Sequence, residues 1–358
     1  MINVTKTYLP NKDKYKKYID EIYTNGWVTN NGPLVKLLEK RLAEYLGVKN
    51  MVLVSNGTVA LEIAYRVLGI KGDVITTPFS FVATTSSLVT NGLSPIFSDI
   101  DAKTLNLEAN NIENRITKNT SAIVPVHVFG NGCEVEKIDA IAKKNDLKVI
   151  YDAAHAFGVE YKGESILNYG DISTLSFHAT KLFHSIEGGA LIINDDNLVK
   201  KARYLINFGI KNEESIPELG TNAKMNEFEA AMGLCMLDEI EIVTTARKKV
   251  FELYERELLG KVQLQEMNEH VTLNHSYFPI VLESEIQLLK VQKALNEHDV
   301  YPRRYFYPSL DTLCYIKPKQ FMSNSRDISP KILCLPIYPN LDLSDVKIIC
   351  DIIKKSLC

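Results

Sequence analysis

The sequence has no strong excess of charge and no long hydrophobic run. Its 358 residues carry a formal net charge of −3, so the chain has no general attraction for nucleic acid or anionic lipid. No stretch approaches the length of about eighteen apolar residues that crosses a membrane, and the charged start, MINVTKTYLPNKDKYKKYID, lacks the apolar core of a signal peptide. We therefore expect a cytoplasmic protein that binds neither nucleic acid nor membrane, and that binds any phosphate group through a local site.

Patterns that hold metal ions or nicotinamide cofactors are also missing. The six cysteines show no CxxC or other ligand spacing, and the seven histidines are scattered along the chain. We therefore expect no metal site, and we expect the cysteines to be free intracellular thiols. No GxGxxG motif follows the first predicted strand, which disfavours a nicotinamide site of the Rossmann type. The cysteines are Cys133, Cys235, Cys314, Cys334, Cys350 and Cys358.

The composition is that of an ordinary globular protein, with 46% hydrophobic and 24% charged residues. Seven short apolar runs, separated in several places by helical patterns, predict a mainly parallel α/β sheet with helices on both faces. The predicted strands are residues 51–54, 73–78, 94–100, 121–129, 147–152, 172–177 and 189–193.

The length allows one large and one small domain. We predict an N-terminal arm over residues 1–35, a large domain over residues 36–240 and a small α+β domain over residues 241–358. A helical period that continues from 222 to 259 predicts one helix long enough to link the two domains.

Two of the predicted strands bring an acid and an amine to one edge of the sheet. Asp152 ends one apolar run, and Lys181 follows a neighbouring run after a short turn. Ligands of open α/β sheets bind at this edge, and a buried carboxylate there needs a cation or a strong donor. A buried lysine can become neutral and attack a carbonyl carbon. The ligand that uses both groups is pyridoxal 5′-phosphate, because a carboxylate keeps its pyridine nitrogen protonated.

Each of these features taken alone has a simpler interpretation. Lys181 alone would be a solvated loop lysine, and Asp152 alone would be a helix cap. The turn from Ser55 to Thr58 joins a predicted strand to a helix, and such a turn either binds a phosphate at the helix N-terminus or only caps the helix. The residues by themselves leave these alternatives open.

Five motifs nevertheless follow one another in a specific order: SNGTVALEIA, TTPFSFVATTSSLVTNGLSPIFSDID, VIYDAAHAFG, SFHATK with EGGAL, and GTNAKMNEFEAA. In these motifs the chain resembles the DegT/DnrJ/EryC1/StrS family of sugar aminotransferases, a branch of the fold type I enzymes that depend on pyridoxal phosphate. The resemblance runs from GWVTNNGP to LCLPIYPNLDLSDV, which is nearly the whole chain. It implies a large α/β domain with a mainly parallel mixed sheet, and a small C-terminal α+β domain.

The resemblance implies specific roles for four residues around the cofactor ring. Lys181 would form a Schiff base with the cofactor and then carry the proton to and from the sugar carbon. Asp152 would hold the pyridine nitrogen protonated. His155 stands where the family has Gln or His near the 3-hydroxyl of the ring, and Phe81 stands where an aromatic side chain stacks on it. Packing in the core is the simpler interpretation of His155 and Phe81.

For the phosphate of the cofactor, the resemblance implies Gly57, Thr58 and Ser176. Asn222 would reach the same phosphate from the other subunit, which would make a homodimer with shared active sites the functional unit. Glu187, which precedes two glycines, is interpreted as part of a tight turn.

The substrates that the resemblance implies are L-glutamate as amino donor, which becomes 2-oxoglutarate, and a nucleotide-linked keto-6-deoxyhexose as acceptor. Both would react at one site with ping-pong kinetics. Within the family, the chain is most similar to enzymes that make dTDP-4-amino-4,6-dideoxyglucose from the 4-keto sugar for bacterial surface polysaccharide. A C3 aminotransferase, or an enzyme for UDP- or GDP-linked sugars, would carry the same cofactor motifs. The segment YPRRYFYPSL at 301–310 is assigned no role.

Two other classes of protein remain open at this point. A cofactor-binding regulator without turnover would share the fold but would not need Lys181, Asp152 and His155 together. A fold type I lyase such as a cysteine desulfurase would need a cysteine on a mobile loop, and no cysteine lies in a convincing loop motif. The dehydrases of the family replace the Schiff-base lysine with histidine, so the lysine at position 181 favours transamination.

Overall fold

The computed structural model describes residues 1–357, and Cys358 lies outside the described residues. The chain starts with a short strand and two helices that precede the central sheet. Asn11 begins the first helix by accepting hydrogen bonds from the backbone N–H groups of the first turn, and Gly47 ends the second in a left-handed conformation. These elements are β1 (Ile2–Asn3), α1 (Lys12–Asn25) and α2 (Pro33–Leu46).

A seven-stranded mixed sheet forms the centre of the molecule, with strand order β2-β10-β9-β6-β5-β3-β4. Only β10 runs antiparallel to its neighbours. The predicted mainly parallel sheet is therefore confirmed. The elements of this region are β2 (Met51–Val54), α3 (Gly57–Leu68), β3 (Asp73–Thr76), α4 (Val82–Thr90), β4 (Ser94–Phe97), β5 (Thr120–Val124), α5 (Val135–Lys144), β6 (Lys148–Asp152), β7 (Glu160–Tyr161), β8 (Glu164–Ser165), β9 (Ile172–Ser176), β10 (Gly189–Ile193), α6 (Asp196–Leu205), α7 (Glu227–Asp238) and α8 (Ile240–Leu258).

Both faces of this sheet are buried, which explains why its strands are continuously apolar rather than alternating. Along β6, Val149 and Tyr151 belong to one hydrophobic cluster, while Ile150 belongs to the cluster on the opposite face. The helices α2 and α7 cover the first face, and α3 and α6 cover the second. The sheet is thus held rigidly between two apolar layers, so the positions of its strand ends are fixed.

Residues 222–259 do not form one long helix, so that prediction was wrong: residues 222–226 precede α7, and α8 follows it as a separate helix. The helices α7 and α8 meet at Glu239, whose backbone leaves the helical region with φ −115° and ψ 9°. The Glu239 carboxylate accepts hydrogen bonds from the Tyr8 hydroxyl at 2.7 Å and the Asn11 N–H at 3.1 Å. This tertiary contact with the N-terminal segment is not visible in the local helical pattern.

The C-terminal part of the chain builds a small antiparallel sheet of three strands, in the order β11-β12-β14, with helices packed against it. Its hydrophobic core includes Tyr254, Phe278, Leu288 and Ile349. The N-terminal strand β1 pairs in parallel with β13 of this part. The boundaries predicted at residues 35 and 240 stay predictions. The elements are β11 (Gln263–Leu264), β12 (Pro279–Val281), α9 (Glu285–Asn296), β13 (Val300–Tyr301), α10 (Ser323–Ile328), β14 (Ile332–Cys334) and α11 (Leu343–Leu357).

Three further observations concern membrane-spanning helices, metal sites and cysteines. Among residues 1–357, no helix combines the length and the apolar character needed to cross a bilayer. The same residues contain no group of three or more His, Cys, Asp or Glu side chains that could hold a metal ion. The five described cysteines are free thiols, of which only Cys314 is exposed.

Candidate active site

A cavity of about 290 Å³ opens at the carboxyl ends of the strands β2, β6 and β9. It is closed on the other side by residues of the C-terminal part, among them Tyr277 and Phe306. Seven of the eight predicted site residues line it, and these are Gly57, Thr58, Phe81, Asp152, His155, Ser176 and Lys181. The structure therefore gathers into one cavity residues that lie more than a hundred positions apart in the sequence.

The strand ends meet at this cavity because Gly189, the first residue of β10, pairs with Val54 of β2 on one side and with Ser176 of β9 on the other. A side chain at position 189 would place its Cβ atom 2.7 Å from the backbone carbonyl of Asn56. Only glycine permits so close an approach of two backbones. The EGGAL turn thus brings the N-terminus of α3 and the end of β9 together.

Asp152 ends β6 with its carboxylate buried at the base of the cavity, and the residue is only 7% exposed. One carboxylate oxygen accepts a hydrogen bond from the Thr84 hydroxyl at 2.7 Å, and the other accepts one from the Ala154 N–H at 3.1 Å. Burial raises the pKa of Asp152, while these two hydrogen bonds and the nearby Lys181 ammonium lower it. Each oxygen keeps a lone pair that can accept a further hydrogen bond from a cationic N–H group in the cavity.

Lys181 lies in the turn after β9, where its backbone N–H donates to the carbonyl of His178 at 2.8 Å. Its Nζ atom is 3.4 Å from the Tyr277 hydroxyl, to which it donates. Desolvation lowers the pKa of Lys181 to about 8, although the charges of Asp152 and Tyr305 raise it. Near neutral pH a minor fraction of this amine, far larger than that of a solvated lysine, is therefore neutral, which is the form that attacks a carbonyl carbon.

His155 lies in the turn after β6 and packs flat against Phe306, with 4° between the ring planes and 5.7 Å between the ring centroids. Its Nδ1 atom accepts a hydrogen bond from the Phe129 N–H at 3.2 Å. Burial and the Lys181 charge hold the pKa of His155 well below its usual value, so the ring is neutral. Because Nδ1 accepts, the proton of the neutral ring is on Nε2, which makes Nε2 a hydrogen-bond donor.

Gly57 and Thr58 form the first turn of α3, where backbone N–H groups have no partner within the helix. The Asn56 side chain caps this helix by accepting a hydrogen bond from the N–H of Val59 at 2.8 Å. A Cβ atom at position 57 would lie 2.7 Å from the Cβ atom of Ser176, so glycine allows β9 and α3 to touch. The helix N-terminus and the Ser176 hydroxyl together form a cradle for an anion such as a phosphate.

Phe81 and Asn222 differ in their relation to the cavity. Phe81 lines it from the position before α4 and is 51% exposed, so one face of the ring is free to stack on a ligand. Asn222 is not part of the lining, and its side-chain oxygen accepts a hydrogen bond from Lys224 at 2.8 Å. Its predicted contact with a phosphate therefore depends on a second copy of the chain.

A group of lining residues from the C-terminal part was not predicted from the sequence, and these are Tyr277, Arg303, Tyr305 and Phe306. Arg303 and Tyr305 lie at a turn, where the Tyr305 N–H donates to the Arg303 carbonyl at 3.0 Å, and the Arg303 guanidinium is 4.7 Å from the centroid of the Tyr305 ring. Arg304 points elsewhere and forms an ion pair with Glu285 at 2.6 Å.

Two residues near the mouth of the cavity add charge and polarity. His178 and Glu187 both line it, and the His178 Nε2 atom is 3.6 Å from a carboxylate oxygen of Glu187. Both side chains are about half exposed, at 47% and 51%. Glu187 was interpreted only as part of a turn, but the turn also places its carboxylate beside the ligand-binding space.

A mixed sheet of this order, with a buried acid and a buried lysine at one cavity, defines an enzyme of fold type I. The chain belongs to the DegT/DnrJ/EryC1/StrS aminotransferase family, whose sequence profile matches residues 11–354. The predicted family and the predicted class of enzyme are confirmed. Aminotransferases of this family depend on pyridoxal phosphate.

Similar proteins with more specific names support this assignment. The dTDP-4-amino-4,6-dideoxy-D-glucose transaminase of Shigella dysenteriae is 43% identical over 96% of both chains. The GDP-perosamine synthase of Vibrio cholerae is 31% identical over 97% of both chains. Among solved structures, DesI in the presence of its TDP-sugar product matches with a TM-score of 0.94 and 30% identity, over 99% of this chain and 93% of that one. The relatives thus share both the length and the fold of this chain.

Proposed function

We propose that this protein transfers the amino group of L-glutamate to C4 of dTDP-4-keto-6-deoxy-D-glucose, giving dTDP-4-amino-4,6-dideoxy-D-glucose for bacterial surface polysaccharide. The observation that carries the proposal is the cavity shared by Asp152 and Lys181, in a chain that is 43% identical to a transaminase named for this amino sugar. The general activity, amino transfer to a nucleotide-linked sugar, is common to the named relatives. The choice of dTDP and of C4 is the specific part of the proposal.

The lining residues fit pyridoxal phosphate as the cofactor. The buried Asp152 carboxylate suits the ring nitrogen, the neutral donor of His155 suits the ring hydroxyl, and the cradle at the start of α3 suits the phosphate. When bound, this cofactor supplies an aldehyde carbon for amines and a ring that withdraws electrons from the substrate carbon. Tyr277 and Phe306 close the cavity and exclude water from the reacting atoms.

Lys181 has two tasks in this proposal, and its lowered pKa suits both. The neutral amine holds the cofactor at the reacting carbon in the resting enzyme. Once the amino donor has displaced it, the same amine would move a proton from the donor carbon to the reacting carbon of the cofactor, and from there to the sugar carbon in the second half. A pKa of about 8 suits this task, because it lies close to neutral pH. One lysine therefore serves both halves of a ping-pong reaction, first with glutamate and then with the keto sugar.

Arg303 gives the mouth of the cavity a positive charge for anionic substrates. Within residues 1–357 its guanidinium makes no ion pair and only packs on the ring of Tyr305 at 4.7 Å. Glutamate carries carboxylates and the nucleotide sugar carries a diphosphate, so either substrate gains a cationic partner at this position. Glu187 also lines the cavity and offers a carboxylate that can accept hydrogen bonds from sugar hydroxyls.

A GDP-linked 4-keto sugar is the second candidate acceptor, because a GDP-perosamine synthase is among the named relatives at 31% identity. A C3 aminotransferase is a third, because the cofactor-binding residues do not depend on which sugar carbon reacts. All three candidates use the same cavity and the same lysine. They differ only in the part of the substrate that lies beyond the cofactor.

We expect dTDP-4-keto-6-deoxy-D-glucose to be aminated at least about tenfold faster than its competitors, because one well-formed set of contacts is worth roughly 1–3 kcal/mol of discrimination. The measurement offers dTDP-, UDP- and GDP-linked 3-keto and 4-keto sugars with L-glutamate and identifies the aminated product by mass and NMR. L-aspartate as donor is the matched control. Faster amination of a GDP-linked or a 3-keto sugar would replace the proposed substrate while leaving the enzyme class unchanged.

We further propose that the enzyme is a cytoplasmic homodimer that completes each active site with Asn222 of the partner subunit. The position of Asn222 outside the cavity of its own chain and the exposed aromatic rings of Trp27 and Phe208, at 47% and 51%, support a covered surface. The free thiols of the described cysteines fit a reducing compartment.

Replacement Asn222→Ala is expected to weaken retention of pyridoxal phosphate by about tenfold, since one hydrogen bond to a charged phosphate is lost. The dissociation constant is measured by equilibrium dialysis, and the dimer is checked by sedimentation. Asn197→Ala, at an exposed position on α6, is the control and should leave the constant unchanged. If the Asn222→Ala dimer stays intact and its dissociation constant for pyridoxal phosphate is unchanged, the proposed cross-subunit contact is excluded.

A further inference from the structure

The Asp152 carboxylate is held by a chain of two hydroxyl groups, of which Ser80 lines the cavity and Thr84 does not. Thr84, in the first turn of α4, is fully buried and places its Oγ1 atom 2.7 Å from a carboxylate oxygen of Asp152. Ser80, just before this helix and 3% exposed, places its Oγ atom 2.8 Å from the Thr84 oxygen. Two hydroxyl groups and a carboxylate are thus in direct series.

The direction of the hydrogen bonds in this series follows from the charge of Asp152. An ionised carboxylate only accepts hydrogen bonds, so the single proton of the Thr84 hydroxyl points to Asp152. The Thr84 oxygen then has only acceptor capacity left, so the Ser80 hydroxyl must donate to it. This order polarises both hydroxyl groups towards the carboxylate, which strengthens the bond that Asp152 receives.

We propose that Thr84 is a positioning residue, which holds the Asp152 carboxylate ionised and oriented so that it accepts a hydrogen bond from the cofactor's ring nitrogen. The proposal rests on the proposed function and adds a residue that touches neither cofactor nor substrate. The Ala154 N–H fixes one carboxylate oxygen, and the Thr84 hydroxyl fixes the other. With both oxygens held, rotation of the carboxylate is prevented, and its remaining lone pairs face the cavity.

The effect of Thr84 on the charge of Asp152 agrees with this geometry. Burial raises the pKa of Asp152, and the hydrogen bond from Thr84 is the largest of the contributions that lower it. Thr84 therefore opposes the tendency of a buried carboxyl group to take up a proton. A protonated Asp152 could not accept the ring N–H in the same way, so loss of the hydroxyl should weaken this one contact.

The neighbouring residue Thr85 supplies a matched control. It is also fully buried on α4, but its hydroxyl has no hydrogen-bond partner. Replacing either threonine with valine removes one buried hydroxyl and keeps the shape and the helix. Only Thr84→Val removes a hydrogen bond to Asp152, while Thr84→Ser keeps the hydroxyl that the proposal requires.

The test compares two cofactors on the full-length chain: pyridoxal phosphate and its 1-deaza analogue, in which carbon replaces the ring nitrogen. The analogue has no ring N–H to donate, so its affinity does not depend on an oriented Asp152. We expect Thr84→Val to bind pyridoxal phosphate about tenfold more weakly than the unmodified chain, and to bind the analogue within about twofold of it. Thr84→Ser should recover most of the affinity for pyridoxal phosphate, and Thr85→Val should match the unmodified chain with both ligands.

The possible outcomes separate this inference from the proposed function. An equal loss of affinity for both ligands in Thr84→Val would mean a purely structural role and would overturn the inference, as would no loss for either. Ser80→Ala removes the donor to Thr84 and gives a second measurement if Thr84→Val does not fold. Because Ser80 also lines the cavity, the difference between the two ligands decides, and we expect about a twofold to threefold loss for pyridoxal phosphate alone. If the unmodified chain binds pyridoxal phosphate but does not turn over glutamate, the proposed function is wrong. The binding data for the Thr84 variants still decide the Thr84 inference in that case.

Discussion

We expect replacement of Lys181 by alanine to abolish turnover, with a fall in kcat of about 10³-fold or more. The variant loses both the amine that holds the cofactor and the group that moves the proton, because Lys181 is proposed to serve as both. The measurement is amination of the keto sugar with glutamate, together with the absorbance of the lysine-bound cofactor. That absorbance should be missing from the variant. Alanine leaves the turn after β9 intact, since the backbone N–H of residue 181 still donates to the His178 carbonyl.

Lys200→Ala provides the control for this variant, because Lys200 is an exposed lysine on α6. It should keep full activity and the full cofactor absorbance. Circular dichroism and sedimentation show whether the Lys181 variant retains its fold and its oligomeric state. Activity of a folded Lys181→Ala protein above about 10% of the unmodified chain would exclude the proposed roles of this residue.

We expect the replacement Asp152→Asn to lower kcat by about 10²–10³-fold. Removal of one buried electrostatic partner of a reacting group has an effect of this size. The asparagine has nearly the same shape and can still accept the hydrogen bond from Thr84, but it carries no charge to keep the ring nitrogen protonated. The measurement is a single turnover with glutamate, followed through the cofactor absorbance. Cofactor should still bind, because the phosphate cradle and Lys181 are unchanged.

The Asp152→Asn variant should also have a lower pKa at Lys181. The carboxylate raises the pKa of Lys181, so its removal should move that pKa below about 8. Asp146→Asn is the control, because Asp146 is exposed near the opposite end of the same strand, and asparagine tolerates its positive φ of 53°. A near-normal rate in Asp152→Asn would show that this carboxylate does not face the ring nitrogen.

Much of the site could be predicted because its residues follow strands that are easy to recognise. Strand β2 and strand β10 coincide with the apolar runs MVLV and GALII, and the residues after neighbouring parallel strands must meet at one edge of the sheet. Asp152 at the end of β6 and Lys181 after β9 were therefore placed by strand position, while Ser176 came only from the family resemblance. The family resemblance supplied their roles.

Other residues could not be predicted, because their positions depend on contacts distant in the sequence. Tyr277 and Arg303 reach the cavity from the C-terminal part, where the strands are only two or three residues long and give little signal. Thr84 lies in a helix whose polar and apolar residues are not separated onto two faces. Nothing in FVATTSS therefore distinguishes Thr84 from Thr85. The break at Glu239 required knowledge of its partners Tyr8 and Asn11.

By itself the sequence determined the class of fold, the family, and the acid and the amine on which the chemistry depends. These features are encoded locally, in strand periodicity, in glycine turns and in motifs of adjacent residues. Only the tertiary structure decided which hydroxyl groups hold the acid, which aromatic rings close the cavity, and how far desolvation lowers the pKa of the amine. Hydrogen bonding and desolvation depend on distances across the folded chain, and a linear pattern of residues contains no such distances.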